Sequence, residues 1–282
     1  MRTETGIDVG AYLQRIGYGG RPAATIEALR ALHELHPRSI AFENLDPLLG
    51  WPVRLDPASL EAKLVRGGRG GYCFEQNLLF AEVLTAFGFA VDGLAARVCL
   101  NAPIGTTSPR SHMLLLVRVA DERWIADVGF GGQTPTAPLQ LDSDAVQATP
   151  NGSYRVARDG EAFELLAQIG GEWKLLYRFD LQRQFRSDYE VANWYVSTHP
   201  ESPFVTTLIA ARADRGHRYT LRNNEFAIHH ASGRSERHRL ANLARLRAVL
   251  ETELRIRLPS HPDVDRTLQR VIDAASDSGN SK

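Results

Sequence analysis

The residues best able to do chemistry are Cys73, His112 and Asp127. A cysteine becomes a nucleophile when a base takes its proton, and the base works best when a carboxylate orients it. Cys73 follows the run Arg66-Gly67-Gly68-Arg69-Gly70-Gly71-Tyr72 and opens an apolar stretch containing Phe74, Leu78, Leu79, Val83, Leu84 and Phe87, closed by Gly88. This spacing predicts a buried helix that starts at Cys73. Glycines let the backbone approach a ligand closely, and the positive end of a helix favours thiolate over thiol. Arg66 and Arg69 are expected to add positive potential. The competing reading of Cys73 is a small packed hydrophobe, which suits Cys99 better because it lies in the apolar run 95–100.

His112 follows Ser111 directly before a β-type run at 113–119, and Asp127 lies near the end of the next run, 123–128. A turn centred on Asp121-Glu122 pairs Asp127 with Leu116. His112 then sits on the same face but four residues away, too far for a hydrogen bond at about 3.3 Å per residue. A bulge, a kink at Ser111 or pairing through another strand is needed to close that gap, so spacing permits the triad without establishing it. The remaining histidines, His33 and His36 on an amphipathic helix and the pair His229-His230 at a strand end, lack a Cys or carboxylate set at metal-ligand spacing. No metal is expected. The run 67–71 lacks the Gly-Lys-Ser/Thr ending of a phosphate-binding loop. Arg234, Arg237, His238, Arg239, Arg245 and Arg247, with Glu236 among them, read as a solvated helix face.

The elements that must position these residues change character along the chain. Helical patterns dominate to about residue 90: a short apolar face at Tyr12, Leu13 and Ile16, a helix over 22–36 ended by Pro37, a short helix over 56–65, and the helix opened by Cys73. Short β-type runs follow at 91–100, 113–119, 123–128, 153–158, 162–166 and 173–179, separated by turn signals such as Asn151-Gly152 and Asp159-Gly160. Strands at this spacing predict a small antiparallel barrel or sandwich. A helix at 192–196, strands at 219–221 and 225–229, helices at 240–257 and 264–275, and a frayed polar tail over 276–282 complete the reading.

With 43% hydrophobic and 23% charged residues the chain is globular, which excludes disordered and fibrous classes. Thirty-three basic residues balance thirty-three acidic ones, so no global charge attracts nucleic acid or an anionic membrane. No stretch approaches the ~18 apolar residues of a membrane span, no leader pattern opens the chain, and two cysteines suit a reducing cytosol. A cytoplasmic protein is expected, with monomer or homodimer left open.

Three segments, Arg69-Gly70-Gly71-Tyr72-Cys73-Phe74-Glu75-Gln76-Asn77, Ser111-His112-Met113 and Asp127-Val128-Gly129-Phe130-Gly131, resemble the signature segments of the arylamine N-acetyltransferases. Tyr12-Leu13-Gln14-Arg15-Ile16-Gly17-Tyr18, Phe42-Glu43-Asn44-Leu45 and Ser197-Thr198-His199-Pro200-Glu201-Ser202-Pro203-Phe204 resemble family segments in the same order, so the likeness covers most of residues 10–230. It implies an α+β fold in three parts with a triad arranged as in cysteine proteases and transglutaminases. These are an N-terminal helical bundle (1–90) carrying Cys73, a central antiparallel β-barrel (91–200) carrying His112 and Asp127, and a C-terminal α/β lid (201–282). By the same resemblance Cys73 is the nucleophile, His112 its base and Asp127 the orienting acceptor. Acetyl-CoA is the donor substrate, and CoA leaves before an arylamine, arylhydroxylamine or hydrazine takes the acetyl group on nitrogen or oxygen. The backbone N–H groups of Cys73 and Ser111 are the expected oxyanion donors, and Phe42, Phe130 and Phe204 the expected pocket wall. Other readings are a related amide synthase acting on a polyketide-type acyl chain and a thiol amidase or hydrolase.

Overall fold

The computed structural model describes residue 4, residues 6–103 and residues 105–277. Its N-terminal part holds helices α1 (Val9–Ile16), α2 (Ile26–Ser39), α3 (Leu45–Leu48), α4 (Pro57–Leu60) and α5 (Cys73–Ala86). A two-residue strand, β1 (Phe42–Glu43), separates α2 from α3, and a π-helical turn (Glu61–Arg66) follows α4. The side chains of Asp8 and Thr25 cap α1 and α2 by accepting from the N–H groups of Ala11 and Ala28. Helix α5 buries Phe74, Leu79, Phe80, Val83 and Leu84, and also Glu75, Gln76 and Asn77, so it is enclosed around its circumference. Pro37 does not end α2. It lies in the last turn, where its burial outweighs one lost backbone bond, and Ile40 N still donates to His36 O at 2.8 Å.

Strands β2 (Ala90–Val98), β3 (Arg110–Val119), β4 (Glu122–Ala126), β5 (Leu139–Gln140), β6 (Gln147–Thr149), β7 (Gly152–Asp159), β8 (Ala162–Ile169) and β9 (Glu172–Phe179) form one antiparallel sheet. Its order is β5-β4-β3-β2-β9-β8-β7-β6. The two edges meet through Gln147, whose amide accepts from Gln140 N at 2.7 Å and donates to Gln140 O at 2.9 Å. The sheet is thereby a nearly closed barrel around Leu94, Leu114, Ile125, Leu165 and Tyr177. The other face of β3 and β4, with Met113, Leu115, Val117 and Trp124, packs on the helices.

Helices α6 (Arg186–Thr198) and α7 (Pro203–Thr206) lead to β10 (Ile209–Asp214), β11 (His217–Arg222), β12 (Glu225–His230) and β13 (Ser235–Arg239). These strands form a second sheet, β1-β10-β11-β12-β13, covered by α8 (Leu243–Ala248), a second π-helical turn (Val249–Glu253) and α9 (Pro262–Asp277). The pairs Phe42↔Ala211 and Glu43↔Ala210 stitch β1, from the N-terminal part, onto this sheet. One expectation changes here. Residues 235–239 are an edge strand paired with β12, not a helix face, and their charged side chains suit an edge that must not recruit another strand. The alanine-rich β10 carries little β propensity yet is a buried central strand. Of the expected frayed tail, residues 278–282 lie outside the described residues.

Candidate active site

Cys73 opens α5, and the chain ahead of it is fixed from both sides. Tyr72 N donates to Glu75 Oε2 at 3.1 Å, closing the first turn. Gln76 Nε2 donates to Ala41 O at 2.7 Å and Gly71 O at 3.0 Å, and its Oε1 takes the Nε2 proton of His36 at 2.6 Å. Tyr12 OH in turn donates to His36 Nδ1 at 2.8 Å. A Cβ on Gly70 would fall 2.0 Å from Ala41 O, so only glycine lets the loop pass β1 this closely.

The arginines of this loop do not supply free positive potential. Arg69 is buried, with Nε on Glu43 Oε1 at 2.9 Å and Nη2 on Asp46 Oδ1 at 2.8 Å. Arg66 pairs with Glu61 and Asp8 at 2.6 and 3.0 Å. Lys63 joins the buried cluster by reaching Asp46 Oδ2 at 2.6 Å and Glu75 Oε1 at 2.7 Å. Burial pushes the Glu75 carboxyl up to about 7, against the pull of the Lys63 charge. These ions hold the loop.

His112 and Asp127 meet because the hairpin turns one residue earlier than the sequence suggests. The β3–β4 register pairs Val119 with Glu122 and Leu115 with Ala126, which extends to Asp127 opposite Leu114. His112 is then two residues away on the same face, a diagonal separation that long side chains span. Its Nε2 lies 2.7 Å from Asp127 Oδ2. In addition, Ser111 is an extra residue in β3: Ala96 pairs with His112 and Arg97 with Arg110, leaving Ser111 bulged.

That bulge turns the Ser111 carbonyl toward the Cys73 sulfur, 3.7 Å away. The Ser111 N–H, expected as an oxyanion donor, donates to Pro109 O at 2.9 Å. The Cys73 N–H, in the first helical turn, has no intrahelical acceptor; the ladder begins with Gln76 N to Tyr72 O.

Asp127 is buried with every acceptor direction used. Oδ2 takes His112 and the Tyr177 hydroxyl (3.0 Å); Oδ1 takes Gly129 N (2.9 Å) and Asn77 Nδ2 (3.1 Å). Its own N–H donates to His33 Nε2 at 3.0 Å. Burial opposes its ionisation, yet the His112 partner and these donors hold the carboxyl below its ordinary value. Burial likewise opposes a charged His112, but the Asp127 charge, their hydrogen bond and the adjacent Cys73 sulfur lift the imidazole to about 10. With Nε2 on Asp127, Nδ1 is the ring nitrogen left for Cys73. A buried sulfur beside a basic imidazole oriented by a saturated carboxylate can carry an acyl group.

Sequence reasoning missed Asn77, Tyr177, His33 and His36 as parts of this assembly. Asn77 was visible only inside a motif; its side chain also reaches Met113 O and Val128 N, tying α5 to β3 and the segment after β4. A signal existed for the histidines, since polar side chains on an apolar helix face must find buried partners.

Phe130 stands edge-on to His112 with ring centroids 4.9 Å apart and also meets Tyr177 at 5.0 Å. Phe204 lies 6.1 Å from Phe42 and 5.5 Å from Tyr72. All three phenylalanines are half-buried. A cleft of about 650 Å³ runs from Leu100, Phe130 and Gln133 on the barrel to Thr220, His229 and Arg237 on the second sheet. Among the described residues no group of three or more His, Cys, Asp or Glu could hold a metal ion, and no helix is long and apolar enough to cross a membrane.

The family model for N-acetyltransferase matches residues 25–264. The arylamine N-acetyltransferase of Mycolicibacterium smegmatis is 46% identical over 244 residues, 85% of this chain and 88% of its own. That of Escherichia coli K12 is 45% identical over 244 residues, 86% of each chain. Among solved structures, the Mycobacterium marinum arylamine N-acetyltransferase in complex with CoA superposes with a TM-score of 0.89 at 40% identity, covering 95% of this chain and 99% of its own.

Proposed function

Since the chain belongs to the arylamine N-acetyltransferase family and is an acyltransferase, we propose that it moves an acetyl group from acetyl-CoA to arylamines through an acetyl-Cys73 intermediate. In this reading residues 1–90 supply the nucleophile, residues 91–200 the base and its acceptor, and residues 201–282 a lid. The observation that carries it is the 2.7 Å bond from His112 Nε2 to Asp127, with the Cys73 sulfur against the same ring.

Cys73 Sγ attacks the thioester carbonyl while its proton resides on His112 Nδ1. The oxyanion that forms faces the Cys73 N–H, at the positive end of α5. Collapse breaks the bond to the CoA sulfur, which leaves with the His112 proton. The amine nitrogen then attacks acetyl-Cys73, His112 takes the proton released from nitrogen, and Cys73 departs with its electron pair. Two such steps replace one difficult bimolecular transfer. Aromatic amines are neutral nucleophiles at pH 7, so Phe42, Phe130 and Phe204 form a fitting wall. The oxygen of arylhydroxylamines, equally neutral, and hydrazines in their unprotonated form extend the acceptor class.

We place the donor in the cleft between barrel and lid. Arg222, Arg237 and Arg239 line it and suit phosphate groups, and the M. marinum relative is in complex with CoA. No metal enters this chemistry. The two free thiols suit a reducing cytoplasm.

Intact-protein mass spectrometry after brief mixing with acetyl-CoA tests the reading. The expected result is one acetyl group on Cys73, discharged faster by an aminobenzoate or a hydrazine than by water. Discharge at the same rate with and without amine would make the protein a hydrolase, and no adduct with acetyl-CoA would remove the proposed donor.

A further inference from the structure

A second cavity, about 750 Å³, lies behind the loop that precedes Cys73. Cys73, His112, Asp127 and the three phenylalanines take no part in its lining. One wall is apolar: Trp51 packs edge-on against His261 with centroids 5.2 Å apart, and Pro52, Leu258 and Pro259 continue it. The floor is the ion cluster of Lys63, Asp46, Glu75 and Arg69, whose charges answer one another.

The rim differs. Arg54 and Arg257 are exposed, and among the described residues neither makes an ion pair. The Arg257 side chain lies along the loop, its Nε and Cζ 3.5 and 3.6 Å from where a Cβ on Gly68 would stand. Its charge also falls on Arg15, whose guanidinium, among the described residues, donates to the carbonyls of Leu64 and Arg69. Two guanidinium groups without a direct ion pair among the described residues, Arg54 acting on Asp56 only through space, therefore border a pocket with an aromatic wall.

We propose that this cavity is a second binding site, for a small aromatic carboxylate, separate from the acceptor site beside Cys73. The planar guanidinium of Arg257 or Arg54 matches a carboxylate with two parallel N–H···O bonds. The ring of the ligand lies against Trp51 and Leu258, removing apolar surface from water. A bare phosphate answers the charge but leaves that wall unused, which is why the aromatic anion is favoured. Its occupant rests on Arg69 and Glu75, the side chains that hold the loop ahead of the nucleophile.

The test uses protein with 15N-labelled tryptophan, whose four indole N–H signals, from Trp51, Trp124, Trp173 and Trp194, are followed during titration with 2-naphthoate. Trp51→Phe identifies the Trp51 signal. We expect that signal to move saturably, with an affinity lowered at least tenfold in Arg54→Ala/Arg257→Ala; both side chains are exposed, so the fold is kept. The shift should persist when Cys73 is blocked with iodoacetamide and when an arylamine is present in excess. No saturable shift by about 10 mM, or an unchanged affinity in the double variant, overturns the site. Loss of the shift on blocking Cys73 places the ligand in the acceptor pocket instead. An equal shift with inorganic phosphate removes the aromatic class.

Discussion

The main-chain N–H of Asp127 donates to Nε2 of His33, 3.0 Å away across the boundary between barrel and helices. Strand β4 ends at Ala126, so this N–H has left the ladder, and α2 supplies the acceptor that the sheet does not. Burial lowers the His33 imidazole to about 4, against the Asp127 charge, which keeps Nε2 free to accept. His33→Leu removes the acceptor and leaves a buried donor unsatisfied, at a cost of about 1–3 kcal/mol. Its kcat should fall on the order of tenfold or more while KM for acetyl-CoA holds, because Asp127 loses its fixed position. His33→Gln, with a carbonyl oxygen within similar reach, should restore most of the rate. Steady-state kinetics of the two variants decide the matter, and equal losses would make His33 a packing residue only.

Removing the charge of Asp127 should act through His112. The imidazole, lifted to about 10, contributes stability that is fully present below its ordinary value of about 6.5 and is lost as pH rises through about 10. In Asp127→Asn the burial penalty remains without the compensating charge, so the titration should move down by several pH units. Acetyl transfer should fall on the order of 10³–10⁴-fold in a folded protein, as when a triad loses its carboxylate. NMR titration of the His112 ring checks both halves. A wild-type midpoint near 6.5 would contradict the strength assigned to the pair, and an unfolded variant would make Asp127 structural.

Cys73 at a helix start was legible because a glycine-rich turn followed by 3.6-residue apolar spacing has few other realisations. The meeting of His112 with Asp127 was not, because it depends on where the hairpin turns. Asp121-Glu122 looks like the turn, but the two linking residues are Ala120 and Asp121, with Ala120 at φ 52°, a conformation usually signalled by glycine. A one-residue displacement of the turn shifts the register by two. The bulge at Ser111 carries no composition signal either, and it decides that the carbonyl rather than the N–H faces Cys73. Tyr177 reaches Asp127 from a strand fifty residues away, a proximity set by the sheet order β4-β3-β2-β9 and the curl of that sheet.

Gly129 is where the segment after β4 crosses the first turn of α5. A Cβ there would stand 2.8 Å from Cys73 Cα and 2.9 Å from Asn77 Nδ2, and the first of these is backbone that cannot swing aside. Gly129→Ala must therefore push the Asp127 segment away from the nucleophile. Displacement by about 1 Å can cost about 100-fold in rate. We expect a loss in kcat/KM of that order, with a lowered Tm. An alanine variant with near wild-type kcat/KM would show that the two segments can part without misaligning the site.

Glu75 offers a pH-dependent test of the loop beneath the nucleophile. Its carboxyl titrates at about 7 in the fold against about 4.5 for the free side chain, chiefly because it is buried. The native state therefore binds more protons than the unfolded chain between these values, and the contribution of Glu75 to stability declines as pH rises from 4.5 to 7. Gln at this position keeps an oxygen for Tyr72 N–H and cannot ionise. Lys63 retains Asp46 as its counter-ion. The difference in Tm between Glu75→Gln and wild type should accordingly become more positive from pH 5 to pH 8, whatever its sign at pH 5. Thermal unfolding at the two pH values measures it. A difference that stays constant would mean that Glu75 is already ionised at pH 5, with Lys63 compensating its burial in full.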